Sequence, residues 1–179
     1  MENSSVQILL VENELSHVEM IKHAFELFPN RFVISIVGTL AEAREYLVKS
    51  KPGLIIVDLT LPDGQGTDLL PESDQGYCDY PIIILTSQGN EQVAVEAIKA
   101  GALDYIVKSP DKLTNLPNAA EHVLREWRHI IARRKVETQL RFQAEILDSV
   151  RESVIVTDLD GNVIYWLSLI HISEPTRPT

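Results

Sequence analysis

Residues 54–70 read LIIVDLTLPDGQGTDLL. The run Leu54–Val57 is aliphatic without polar alternation, as in a strand buried on both faces. It stops at Asp58, and Asp63-Gly64 then reads as a turn. Four more short runs of the same texture lie to either side: Ile8–Val11, Phe32–Val37, Ile82–Leu85 and Tyr105–Val107. Helix-like segments separate them. Ser16–Phe28 ends before Pro29. Thr39–Ser50 opens with a Thr39/Glu42 capping box, and Thr67–Leu70 is cut short by Pro71. Asn90–Ala100 starts on an N-cap residue and ends at Gly101, a good C′ residue.

This alternation predicts an α/β fold: a doubly wound, five-stranded parallel sheet covered by helices on both faces. The expected strand order is the flavodoxin-like 2-1-3-4-5. The texture changes after Pro117, so the first domain is expected at 1–118. Residues 119–148 lack Pro and Gly and read as one long linker helix. Its stripe Leu124, Trp127, Ile131 is expected to pack on the sheet. A second stripe, Val136, Leu140, Leu147 and Val150, is out of phase and would continue as a linker. Residues 149–166 hold two strand-like runs, Val154–Asp158 and Val163–Trp166, around a tight turn.

The 179-residue chain carries a net charge of −10, which argues against general binding to nucleic acids or anionic membranes. Locally, Arg125–Lys135 holds five basic residues and one acid, read as the wet face of a helix. The single cysteine, Cys78, excludes an intrachain disulfide and reads as a loop bystander. There is no signal-peptide pattern and no membrane-length apolar run, so a cytoplasmic location is expected. His17, His23, His122 and His129 show no metal-ligand spacing and are expected at the surface.

In such a sheet, ligands bind beyond the carboxyl ends of the strands. Strand one is followed by Glu12-Asn13-Glu14, strand three ends in Asp58, strand four in Thr86 and strand five in Lys108. The expected order brings Glu12, Asp58, Thr86 and Lys108 to one crevice. Two carboxylates invite a hard cation such as Mg²⁺. Asp58 can serve as a nucleophile toward phosphorus. Thr86 and Lys108 can bind phosphoryl oxygens. A dinucleotide-binding domain would need a glycine-rich turn after strand one, where this chain has acids.

VQILLVENE, LIIVDLTLPDGQGTDLL, PIIILTSQGN and GALDYIVKS resemble, in order, the signature segments of CheY-like receiver domains of response regulators, over about residues 5–116. The resemblance implies that Asp58 accepts a phosphoryl group from a histidine kinase or phosphotransfer protein. It implies that Glu12, Asn13, Asp58 and the Thr60 backbone carbonyl frame a Mg²⁺ site, and that Lys108 contacts the phosphate. Thr86 and Tyr105 are implied as a switch pair that reshapes the face made by the fourth helix, fifth strand and fifth helix. A homodimer through that face or the linker helix is a further expectation. Self-catalysed aspartyl phosphorylation and dephosphorylation is implied, rather than conventional enzyme turnover. Asn13 departs from the family, which usually has a second acid there. This predicts weaker Mg²⁺ binding and leaves an alternative, a pseudo-receiver that works as an interaction module. Ser109 also departs, standing where proline usually follows the lysine.

Residues 146–166, ILDSVRESVIVTDLDGNVIYW, resemble the start of a PAS domain. The receiver is thus expected to switch an appended PAS or kinase output. Residues 167–179 resemble translated sequencing adapter and are expected to lie outside any native fold.

Overall fold

The computed structural model describes residues 5–70, 79–87, 91–149, 154–158, 160 and 163–167. The elements follow in chain order as β1 (Val6–Val11), α1 (Leu15–Glu26), β2 (Phe32–Val37), α2 (Leu40–Lys49), β3 (Leu54–Asp58), β4 (Thr60–Leu61) and β5 (Gly64–Gln65). After a 3₁₀ turn at Gly66–Leu69 come β6 (Ile82–Thr86), α3 (Glu91–Lys99), β7 (Asp104–Val107), α4 (Pro110–Thr114) and α5 (Leu116–Ser149). Strands β8 (Val154–Thr157) and β9 (Val163–Leu167) close the series.

The main sheet has the order β2-β1-β3-β6-β7 and all its pairings are parallel. This is the expected doubly wound sheet. Side chains alternate between its faces. Ile8 and Leu10, Leu54 and Ile56, Ile83 and Leu85, and Ile106 join a core with α1, α4 and α5. Leu9, Val11, Ile55, Val57, Ile82 and Ile84 join the opposite core with α2. β3 and β6 are buried along their whole length, which is why they lack polar alternation.

Three local features differ from the sequence reading. The Thr39 side chain accepts from Glu42 N at 3.2 Å, but the Glu42 carboxylate accepts from Gly38 N rather than from Thr39. The reciprocal half of the box is displaced by one residue. Second, Pro110 starts the additional helix α4, where its missing N–H costs nothing. Third, Pro62-Asp63 turns a short hairpin, β4–β5, and Asp63 does more than turn. Its carboxylate accepts from Leu40 N and Ala41 N, both at 2.9 Å, and so caps α2 from 23 and 22 residues away in sequence. These two donors hold the Asp63 carboxyl below its ordinary value. A lowered carboxyl pKa stabilises the folded state above the unfolded value and ceases to do so as pH falls through the folded one. Asp63→Ala is therefore expected to lower the melting temperature at pH 7, with no difference from wild type near pH 2. Parallel thermal scans at the two pH values would check this.

α5 buries Leu116, Ala120, Val123 and Leu124, so its packed face reaches past residue 118. Trp127 is half-buried, and Ile131, expected to pack, is 43% exposed. Val136 and Leu140 are exposed. The chain divides into two compact units, Met1–Ile130 and Ile131–Thr179. In the second, β8 and β9 pair antiparallel from Val154↔Leu167 to Thr157↔Val163, with a register shift at Val156/Thr157. Leu167 thus pairs in a strand, one residue beyond the expected limit. The expectations for Cys78, Asn90, Val150 and residues 168–179 fall outside the described residues.

Candidate functional site

β1, β3 and β7 end together at the carboxyl edge of the sheet. Glu12 continues the β1 face of Ile8 and Leu10, Asp58 the β3 face of Leu54 and Ile56, and Lys108 the β7 face of Ile106. Two-residue periodicity therefore sends all three side chains to the side covered by α1 and α5. There the Lys108 ammonium pairs with Asp58 Oδ2 at 2.7 Å and Glu12 Oε2 at 2.8 Å. The Lys108, Glu12 and Asp58 side chains are at most 8% exposed.

Burial pushes the Asp58 carboxyl above the ordinary carboxylate range. The neighbouring Glu12 charge adds to this, while hydrogen bonds from Lys108 and the Thr60 backbone oppose it. Burial pushes Lys108 down, but hydrogen bonds to Asp58 and Glu12 outweigh it and hold the ammonium above the ordinary lysine value. Among the described residues no buried side-chain polar atom lacks a partner.

Thr86 follows Leu85 and so sits on the other parity. It is buried, and its Oγ1 donates to the Ser87 carbonyl at 3.2 Å. The Lys108 backbone N–H donates to the Thr86 carbonyl at 2.7 Å, which ties the two strand ends together. Tyr105 is 39% exposed on β7. Asn13 is exposed. With Glu12, Thr39 and Pro62 it lines an open cleft of ≈ 580 Å³. Thr60 stands in β4, two residues past Asp58, and pairs with Gln65.

His17 is where sequence reasoning failed. It was expected at the surface, but the side chain is only 22% exposed. Its Nδ1 lies 3.1 Å from Glu14 Oε2, 3.6 Å from Glu12 Oε2 and 3.5 Å from Lys108 Nζ. Glu14 itself is mostly exposed and accepts from Ser16 Oγ at 2.6 Å. No sequence spacing links residues 12, 17 and 108.

Gly66 sets the position of Asp58. A Cβ there would lie 2.3 Å from the Asp58 carbonyl oxygen and 2.9 Å from Val57 Cγ2. Gly66→Ala is expected to cost on the order of 2 kcal/mol through this clash, and to slow any chemistry at Asp58. Denaturant melts with the phosphorylation assay described below would check both effects.

Glu12 and Asp58 are two buried carboxylates that share one cation, and carboxylate oxygens are the donor type a hard divalent ion takes. Among the described residues no three His, Cys, Asp or Glu side chains are arranged to hold a metal as they stand. The Lys108 ammonium takes the central place. Among the described residues no helix is long and apolar enough to cross a membrane.

Known proteins share this architecture. The methanogenesis regulatory protein FilR1 of Methanothrix harundinacea is 36% identical over 126 residues, which is 69% of this chain and 28% of that protein. The signal receiver domain of a Vibrio parahaemolyticus protein named as a Luxo repressor is 31% identical. That match covers 76% of this chain and 97% of the domain, with a TM-score of 0.58. The phosphorylated cyanobacterial phytochrome response regulator RcpA is 26% identical, covering 65% of this chain and 91% of that one, again with a TM-score of 0.58. Residues 8–120 match the response regulator receiver domain model, and with the five-stranded sheet and the acid–lysine site at its carboxyl edge, the chain belongs to that family.

Proposed function

We propose that this receiver accepts a phosphoryl group on Asp58, from a histidine kinase or phosphotransfer protein. The supporting observation is Asp58 itself, fixed at the end of β3 and joined to buried Glu12 through the Lys108 ammonium that both carboxylates share. Glu12, Asn13, Asp58 and the Thr60 carbonyl would hold Mg²⁺, which supplies charge neutralisation for phosphoryl oxygens. An Asp58 carboxylate oxygen bonds to phosphorus as the phosphorus–nitrogen bond of the donor breaks, and the electron pair stays on the donor imidazole. Lys108 moves its pairing from the carboxylates to a phosphoryl oxygen, and Thr86 turns its hydroxyl toward another. Catalysis of this kind is positioning and charge neutralisation.

Tyr105 on β7 is the proposed partner of Thr86 in the switch. It would turn inward and reshape the face formed by α3, β7 and α5. That face or the distal part of α5 is the proposed contact for a homodimer or an appended output. The antiparallel pairing of β8 with β9 supports a PAS or kinase module as the proposed output, and the cytoplasm is the proposed location. Phosphorylation is expected as one added phosphoryl group by intact mass after incubation with Mg²⁺ and a small-molecule phosphodonor. No adduct, or one that survives Asp58→Asn, removes this reading. A second reading, an interaction module that is not efficiently phosphorylated, has exposed, uncharged Asn13 in its favour. It predicts no adduct and no saturable Mg²⁺ response at millimolar concentration.

A further inference from the structure

The first turn of α2 presents the Leu40, Ala41 and Glu42 N–H groups, which have no partner inside the helix. Glu42 N is served locally, by Thr39 Oγ1 at 3.2 Å. Leu40 N and Ala41 N are served from outside, by Asp63 Oδ1 and Oδ2 at 2.9 Å each. Asp63 stands at the tip of the β4–β5 hairpin. That hairpin has two residues in each strand, pairing Thr60↔Gln65 and Leu61↔Gly64, too few to hold their own place in water. Its base is fixed where Gly66 N donates to the Leu59 carbonyl at 2.9 Å and where Leu59 and Leu61 are buried. Its tip is fixed by Asp63 and sits close against α2, since a Cβ at Gly64 would lie 2.7 Å from Leu40 Cδ1. Between base and tip is Thr60, whose backbone N–H donates to the Asp58 carboxylate. That carboxylate is therefore held from two directions, by the Lys108 ammonium at 2.7 Å and by a hairpin that is itself anchored on α2.

We propose that Asp63 is a positioning residue for Asp58. By holding Leu40 N and Ala41 N at the start of α2 it locks the β4–β5 hairpin, and through the hairpin the Thr60 N–H that aims the nucleophilic carboxylate. Asp63 does not touch the reacting atoms. The inference rests on the reading that Asp58 accepts a phosphoryl group. The reason is geometric. In-line attack on phosphorus needs one carboxylate oxygen kept in a near-attack position. Lys108 gives up Asp58 when it turns to a phosphoryl oxygen, and the Thr60 N–H then keeps the carboxylate aimed. A loose hairpin would leave that N–H, and with it the attacking oxygen, free to wander.

The test uses the full chain with Mg²⁺ and acetyl phosphate, well below the melting temperature of every variant. Asp63→Ala is expected to lower the maximal rate of adduct formation about 10-fold, with the half-saturating acetyl phosphate concentration changed less than about 2-fold, because orientation enters the bond-forming step and donor binding does not involve Asp63. Asp63→Asn keeps an oxygen that can cap the helix and is expected to stay within about 3-fold of wild type. Ala43→Gly weakens α2 from within without touching the hairpin, and is expected to react at the wild-type rate. Amide hydrogen exchange reads the geometry directly. The Thr60 N–H is expected to exchange about 10-fold faster in Asp63→Ala, with Ile55–Val57 unchanged. A rate loss shared by Ala43→Gly, an Asp63→Asn as slow as Asp63→Ala, or Thr60 exchange equal to that of wild type each overturns the proposal. If the wild type takes up no phosphoryl group, the acceptor reading of the preceding section falls, and the Thr60 exchange alone decides whether Asp63 anchors the Asp58 carboxylate.

Discussion

Lys108→Met is expected to lower the unfolding free energy by about 3 kcal/mol at pH 7, the size seen when one partner of a buried ion pair is removed. Glu12 and Asp58 have almost no solvent contact, and Lys108 is the cation they share. Methionine fills similar volume but leaves two negative charges facing each other across a dry gap. The effect should depend on pH with a definite sign. As pH falls through the carboxylate range, one of the two acids takes up a proton and the repulsion goes, so the variant should approach wild type near pH 3. At the alkaline end, the raised Lys108 pKa stabilises wild type fully below 10.5 and progressively less as pH rises through the folded value. Urea unfolding of both proteins at pH 3, 7 and 11 measures all three regimes. Added Mg²⁺ should recover part of the loss at pH 7, because a divalent cation can do what the ammonium did. A variant as stable as wild type at pH 7 would show that the ion pair contributes little.

Asp58→Asn is expected to abolish the phosphoryl adduct while leaving stability at pH 7 equal to or above that of wild type. The two results come from the same environment. Burial disfavours the ionised carboxylate, and Glu12 disfavours it further. An acid with a raised folded pKa favours the folded state below its unfolded value and loses that contribution as pH rises through the folded one. At pH 7 the ionised group is thus held against its solvation preference, and a neutral amide of the same shape relieves it. Lys108 keeps Glu12 as its counter-charge. Asn has no carboxylate oxygen to form the acyl phosphate, so the added mass should fall from one phosphoryl group to none. Intact mass spectrometry and thermal unfolding on the same preparation test both halves. A large fall in melting temperature would mean that the Asp58–Lys108 pair is net stabilising and that the site is not poised against its own charge.

The fold was legible because its causes are local. Aliphatic runs such as Ile82–Leu85 have one use in a chain of this length, and turn and capping residues separate them at helix-compatible intervals. Short connections and right-handed crossovers then leave little choice of strand order. The strand-end polar residues were legible for the same reason, since the residue after a buried run must emerge at the sheet edge. What failed locally were side-chain choices with two near-equal outcomes. A Glu at this position can serve the backbone N–H of the cap residue or of the residue before it, and Glu42 takes Gly38. Pro110 suits the first turn of a helix as well as it suits a loop.

Glu12, Asp58, Thr86 and Lys108 reach one edge because each ends or follows a buried strand run. Which of them share a face is set by packing. Parity along the strands puts Glu12, Asp58 and Lys108 beneath α1 and leaves Thr86 on the other side, and parity matters only once the register between strands is set. The docking of α1 then carried His17 to Lys108, 91 residues away in sequence, and the β4–β5 turn carried Asp63 to the start of α2. Neither contact has a sequence signal, because each depends on where a packed element lies in space rather than on what neighbours it in the chain.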